Sequence, residues 1–456
     1  MRPALSVRRL HASSGRLIRP VDARIGTSAD VHLVLPITAE LSAGARKGIP
    51  AWLEAAPRGS REATWLELTY PMKRDPALRQ LYSLADSTSL RAGMFMEEID
   101  AFSADCALRH ALGPDGHLCA EPKLTIVTAA HDNLSFLQAL SAENDLRLRG
   151  CVVAVGSSSI EVRTDVLIAC LTNNREKLLG TCYTVMVARD SAKPDAPAKV
   201  KVHPLLPVGA DRNSVSRCSS GPAVFDDAAA QHRQRRRKLM GEEALSRRPP
   251  TASEVPLMHD LWRTRAQVGV DPSRRRIPIL HTEQRAIDVM QPQHRNQNGF
   301  MFGGYLMRRA LEVGWLAAYR CCRHPPQFAG VDDVLFRKPV RVGCLLEYIG
   351  RVVYASSDGA LRVYVEAHAL DLRTGERDQT NEFHLVFNTK EDVLEEAALV
   401  DTPLKDGEDI AIETTQHGHP GMQPNTYEEA MLYLEGRRRW LSSFGYASDT
   451  PLAAKM

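Results

Sequence analysis

Asn296-Gln297-Asn298-Gly299-Phe300-Met301-Phe302-Gly303-Gly304 runs directly into Tyr305-Leu306-Met307-Arg308-Arg309-Ala310-Leu311-Glu312-Val313-Gly314-Trp315-Leu316-Ala317-Ala318. Apolar residues at Leu306, Met307, Ala310, Leu311, Gly314, Leu316 and Ala317 form the broad stripe of a buried central helix. Gly303 and Gly304 stand at its start. Glycine there lets another group approach the backbone, and helix-start N–H groups have no intrahelical acceptor. Such a start can bind an anion or polarise a carbonyl. A plain Gly-rich loop before a core helix is the simpler reading of these residues alone, and the rest of the chain weighs against it.

Downstream, the pattern predicts strands over Phe328 to Phe336, Gly343 to Tyr354, Leu361 to Leu370 and Asn381 to Asn388. The first half has the same order. A short strand within Trp65 to Tyr70 precedes a helix over 90–110 that is entered through Gly93. A β-rich run from Leu124 to Leu134 follows, then strands over Leu148 to Val155, Ser159 to Ala169 and Cys182 to Ala188. Gly93 matches Gly304, Asp132 matches Asp332, and Val155 to Ser158 match Val353 to Ser356. Offsets of about two hundred residues mean two copies of a whole domain, not a solenoid. One helix against a meandering antiparallel sheet is an α+β unit.

Composition narrows the functional classes. A length of 456 residues and 44% hydrophobic residues suit two domains with their own cores. The net charge of +3 gives no case for nucleic acid, and no apolar run approaches a membrane span. The nine cysteines include the adjacent pair Cys321-Cys322 but no C-x-x-C, which fits free thiols without a metal site. No cofactor is expected.

Residues 1–21 contain Arg2, Arg8, Arg9, Arg16 and Arg19 with Ser6, Ser13 and Ser14, and the first acid is Asp22. That predicts an organelle transit peptide over about 1–30 and mitochondrial import, into the matrix. The expected layout is then a first domain over 31–200, a linker over 201–275, a second domain over 276–405 and a tail over 406–456. The linker holds Gln231-His232-Arg233-Gln234-Arg235-Arg236-Arg237-Lys238, a basic helix read as a solvated face.

Several stretches resemble the acyl-CoA thioesterases with two tandem hotdog domains, most closely their mitochondrial branch. The resemblance is carried by Gln291-Pro292-Gln293-His294-Arg295-Asn296, Gly299, Phe302-Gly303-Gly304 and Val331-Asp332-Asp333-Val334-Leu335-Phe336-Arg337-Lys338-Pro339. Thr374-Gly375-Glu376 and Asn381-Glu382-Phe383-His384 fit the family's last hairpin. It implies hydrolysis of an acyl-CoA to free acid and CoA, in a site between the two domains, and a homo-oligomer of such chains. One domain gives an Asn before the helix and the other an Asp from the helix–strand region. Asn296 falls on the first position, and Asp132 and Asp332 both fall on the second.

The region before Gly93 has no counterpart of Asn296, so one complete site is expected, Asn296 with Asp132. Asp132 would activate water or attack directly, and the Gly303–Gly304 N–H groups would hold the carbonyl oxygen. Arg337 and Lys338 are candidates for the CoA phosphates, while His294 and His384 read as structural. Two alternatives compete: a non-catalytic acyl-CoA or CoA sensor, and a hotdog hydratase or dehydratase. A hydratase needs a His with a carboxylate by the central helix, and Phe302 occupies the place before Gly-Gly. The absence of G-x-S-x-G disfavours a serine hydrolase.

Overall fold

The computed structural model describes residues 60–84, 88–112, 124–136, 140–170, 175–190, 198–206, 245, 249–265, 276–296, 299–356, 359–389 and 421–448, with the backbone of 10–11 and 17–18. The rest of the expected leader and the basic run at 231–238 lie outside the described residues.

Each half has one long central helix and gives five strands to a shared sheet. The first half contains β1 (Leu66–Tyr70), α1 (Pro76–Tyr82), α2 (Ala92–Leu112), β2 (Leu124–Phe136), β3 (Leu146–Val155), β4 (Ser159–Cys170) and β5 (Arg175–Asp190). The second contains α3 (Glu254–Thr264), β6 (Gln284–Val289), α4 (Gly303–Cys322), β7 (Gln327–Phe336), β8 (Leu345–Ala355), β9 (Ala360–Leu370), β10 (Arg377–Asn388) and α5 (Tyr427–Ser448). All ten strands join one antiparallel sheet in the order β1-β3-β4-β5-β2-β7-β10-β9-β8-β6. The order of one half is the other reversed about the β2–β7 contact. This is the expected pair of tandem hotdog domains, each a long helix wrapped by an antiparallel sheet.

Two elements escaped the pattern. Asp75 caps α1 by accepting from the N–H groups of Ala77 and Leu78, with Pro76 in the first turn. That stretch reads as a polar connection in sequence. In β6, Ile287 and Val289 face out at 58% and 50% exposure, so its alternation runs against the usual rule. Residues of the expected linker also fold. Glu254 of α3 is ion-paired to Arg438 of α5 at 2.6 Å, and Gln423 donates to the Leu261 carbonyl at 2.9 Å.

The helices α2 and α4 are packed inside the curled sheet, and they cross closely. A Cβ on Gly93 would lie 2.7 Å from Arg308 Cγ, and one on Gly304 would lie 2.8 Å from Glu97 Cα. The contacts are reciprocal, so the helices run antiparallel and each start meets the second turn of the other. Burial surrounds α2, which hides even Glu97, Glu98, Asp100 and Asp105. On α4 the expected stripe is buried except for Leu316, which is exposed.

The halves are joined through β2 and β7, where Gly330 is opposite Ser135 and Asp333 is opposite Asp132. A Cβ on Gly330 would lie 2.1 Å from the Leu134 carbonyl oxygen, a backbone atom with no room to give. Gly330→Ala is therefore expected to destabilise the protein by about 1–3 kcal/mol, the usual range for overpacking. A urea midpoint equal to that of the parent chain would contradict this close pairing of the halves.

Candidate functional site

Residues 294–296 and 299–302 lie close together ahead of α4. The Phe302 N–H donates to the His294 carbonyl at 2.9 Å, and the Phe300 N–H donates to Asn296 Oδ1 at 3.2 Å. The second bond orients the Asn296 amide at the entrance to the helix. Phe302 is the N-cap, but its side chain offers no capping acceptor. The first N–H groups of α4, at Gly303 and Gly304, are thus the polar end of a helix whose dipole favours negative charge.

The carboxylate at that end is Asp100 of α2. A Cβ on Gly303 would lie 3.1 Å from Asp100 Oδ2, 3.3 Å from Thr128 Oγ1 and 3.3 Å from Phe336 Cζ. Asp100 Oδ1 accepts from the Thr128 hydroxyl at 2.7 Å and is 2.9 Å from His131 Nε2. Oδ2 is buried and has no hydrogen-bond partner among the described residues. A fully buried carboxylate oxygen left unpaired is unusual and calls for an explanation.

Thr128 and His131 reach the same carboxylate because β2 is irregular. Its register against β5 shifts between Thr128 and Ala130, which brings residues three apart onto one face. His131 lies behind Asp100 with no exposed surface, and its other ring nitrogen is 3.1 Å from Thr184 Oγ1. Burial alone would lower the imidazole pKa, but the hydrogen bond and charge of Asp100, together with the Cys182 sulfur beside the ring, outweigh it and raise it to about 9. His131 is thereby held in its protonated form at neutral pH. Both ring nitrogens are engaged, so His131 supports Asp100 and does not face a substrate.

The expected acids lie elsewhere. Asp132 follows His131 on β2, so its side chain leaves the sheet on the opposite face, away from Asp100. Asp332 also belongs to the outer face, where Arg362 Nη1 holds both its oxygens at 2.8 and 2.7 Å. Arg439 of α5 lies 3.8 Å from the adjacent Asp333. The matched acids therefore mark the outer surface of the sheet, and the helix provides the inner one. Counting from the matched glycines would find it: seven residues past Gly93 is Asp100, and seven past Gly304 is Leu311.

The second helix start is closed to the same chemistry. Arg308 packs on Gly93 and pairs with Glu97 at 3.1 Å. Arg337 and Lys338 leave β7 just beyond Phe336, half-exposed, and are paired with Glu382 at 2.7 Å and Asp378 at 2.6 Å. His294 stacks on Tyr305 at 3.9 Å, and burial with the nearby Arg308 charge lowers its pKa to about 4. His384 is buried beneath α5, and burial with Arg439 lowers it likewise to about 4. Both rings are packed against neighbouring side chains. Among the described residues no cluster of His, Cys, Asp or Glu could hold a metal, and no helix is long and apolar enough to cross a membrane.

Comparison with known proteins matches residues 298–374 to the thioesterase superfamily. Acyl-coenzyme A thioesterase 9, mitochondrial, of Mus musculus is 28% identical over 409 residues, covering 88% of this chain and 81% of that protein. Acyl-coenzyme A thioesterase 2, chloroplastic, of Humulus lupulus is 26% identical over 329 residues, covering 71% and 72%. A solved acyl-CoA hydrolase of Staphylococcus aureus, in complex with butyryl coenzyme A, coenzyme A and coenzyme A disulfide, is 22% identical. It covers 39% of this chain and 99% of its own, with a TM-score of 0.30.

The raised pKa of His131 has a defined effect on stability. The unfolded value is 6.5 and the folded one about 9. The contribution is full below pH 6.5 and is lost as pH rises through about 9. It amounts to about 3 kcal/mol by the usual conversion of pKa shift to energy. In His131→Leu the stability difference from the parent should shrink across that window in urea unfolding at stepped pH. A constant difference from pH 6 to pH 10 would remove the ion pair from the account.

Proposed function

We propose that this chain, whose residues 298–374 match the thioesterase superfamily, hydrolyses acyl-CoA thioesters at one site per chain, where Asp100 of α2 meets the start of α4. One observation carries this: a buried carboxylate oxygen without a partner, beside helix-start N–H groups and 3.1 Å from the nearest point a side chain on Gly303 could occupy. Its setting suits addition to a carbonyl. The thioester oxygen accepts from the N–H groups at Gly303 and Gly304, which stabilise the negative charge that develops there. Asp100 Oδ2 takes a proton from a water held with the Asn296 amide. The hydroxide adds to the carbonyl carbon, the C–S bond breaks, and the CoA thiolate takes the proton. Thr128 and His131 fix Oδ1, so Oδ2 is the oxygen that works.

Arg337 and Lys338 lie where the chain leaves the site, and they would exchange Glu382 and Asp378 for the CoA phosphates. A hydratase would need a histidine facing the substrate, whereas both nitrogens of His131 are engaged. A sensor would bind CoA without turnover. Assembly into a homo-oligomer is part of the same reading, supported by the exposed Leu316 and Tyr319 of α4 and Ile287 and Val289 of β6.

Release of free thiol from an acyl-CoA panel tests the assignment. Asp100→Asn should lower kcat by about 10²–10⁴-fold, the scale of general-base catalysis. Asn296→Ala should fall by at least tenfold, and Asp132→Asn should stay within about twofold of the parent. Full activity in Asp100→Asn with loss in Asp132→Asn would reverse the assignment.

Mitochondrial import, with delivery to the matrix, is supported by the arginine- and serine-bearing, acid-free N-terminus and by the mitochondrial relatives. Residues 1–40 fused to a fluorescent protein should be carried into mitochondria. A fusion that stays in the cytosol would overturn the localisation and leave the chemistry untouched.

A further inference from the structure

Four residues form one row across the inner face of the second half. Tyr348 of β8 is opposite Ala367 of β9, Ala367 is opposite Asn381 of β10, and Asn381 is opposite Phe336 of β7. The neighbouring row shows which face this is. Gly350 meets Val313 of α4, and a Cβ on Gly314 would lie 2.7 Å from Leu385 and 3.4 Å from Val365. Residues two apart on a strand share a face, so Tyr348, Ala367 and Asn381 face α4 as well. Phe336 ends the row at the helix start, where its ring lies 3.3 Å from the Cβ position of Gly303.

Two members of the row are polar and unpaired. Tyr348 is 0% exposed and Asn381 is 1% exposed. The Tyr348 hydroxyl and both amide atoms of Asn381 have no hydrogen-bond partner among the described residues. Directly opposed residues are about 5 Å apart, so only the Ala367 methyl lies between the two side chains. Burial holds the Tyr348 phenol well above its ordinary pKa, so it stays neutral and can donate. Asn381 can both donate and accept. The cation whose charge reaches Tyr348, Arg309, is already bonded to Asp288 and Glu312 and does not call for an ionised carboxylate here.

We propose that Tyr348 and Asn381 select the acyl group, favouring acyl-CoAs that carry a neutral hydrogen-bonding oxygen, a hydroxyl or ketone, within a few carbons of the thioester. This rests on the thioesterase reading, with the carbonyl at the start of α4. An acyl chain entering there passes Phe336 and next meets Asn381 and Tyr348. A site built to bond a substrate hydroxyl discriminates strongly against the analogue without it, because its own buried groups then stay unpaired.

The test compares butyryl-CoA with 3-hydroxybutyryl-CoA, and hexanoyl-CoA with 3-hydroxyhexanoyl-CoA, by free-thiol release with the full chain. The parent should prefer the hydroxyacyl member of each pair by at least tenfold in kcat/KM. Asn381→Leu and Tyr348→Phe should each bring that ratio close to one. Neither should lower the melting temperature, since replacing an unpaired buried polar group by an apolar one is neutral or stabilising. If Asn381→Leu does not fold, Tyr348→Phe alone reads the ratio. A parent ratio near one, or a preference that survives both substitutions, overturns the proposal while hydrolysis of butyryl-CoA still upholds the thioesterase. Hydrolysis of none of the four overturns both.

Discussion

The close antiparallel crossing of α2 and α4 sets the rest of the molecule. With glycine at 93 and 304, each helix start rests on the second turn of its partner. A side chain at either position would push the axes apart and open the inner surface of the sheet. The crossing gives α4 its unusual neighbour, a carboxylate from another domain placed against free-ended N–H groups. Within one domain a helix start meets its own sheet and loop, so a second copy of the fold, here joined in the same chain, supplies through α2 what α4 lacks.

Duplication gives this crossing two helix starts, and they differ in what faces them. At the start of α4 stands Asp100, whose charge agrees with the helix dipole and with the buried imidazolium behind it. At the start of α2 the corresponding residue is Leu311, and Arg308 fills the approach. A cation at a helix N-terminus is unfavourable by itself, but Glu97 offsets it at 3.1 Å. Burial raises the Glu97 pKa to about 7 even with Arg308 opposing, so this ion pair weakens in mild acid. The two ends thus carry opposite charges at related positions, and they cannot bind the same group.

Much of this was legible in the residues. The duplication, nearly every strand, both central helices and the glycines at 303 and 304 follow from period and spacing. The carboxylate does not. Asp132 and Asp332 stand out because they recur after matched helices, yet recurrence reports only a shared place in the sheet. Which face an acid occupies depends on a bulge near Ala129 and on the strand's curl, and these have no local signature. Asp100 was obscured for a different reason: four acids lie in a helix buried on every side, so no apolar stripe separates inward from outward positions. Only the reciprocal spacing from Gly93 and Gly304 distinguishes Asp100 from its neighbours.

Polar groups left without partners tell where such a fold is prepared for something else. A buried donor or acceptor without a partner costs about 1–3 kcal/mol, a large part of the stability of most domains. Asp100 Oδ2, the Asn381 amide and the Tyr348 hydroxyl all bear that cost on the inner surface facing the first turns of α4. The outer face shows the alternative, where Asp332 is satisfied by Arg362 and α5 covers the acids beside it. Both faces are built from the same strands, so the difference is not a failure of packing. On the outer face the chain supplies its own counter-groups. On the inner face the donors and acceptors run from the helix start along the direction an acyl chain would take, and a bound substrate would complete their hydrogen bonds.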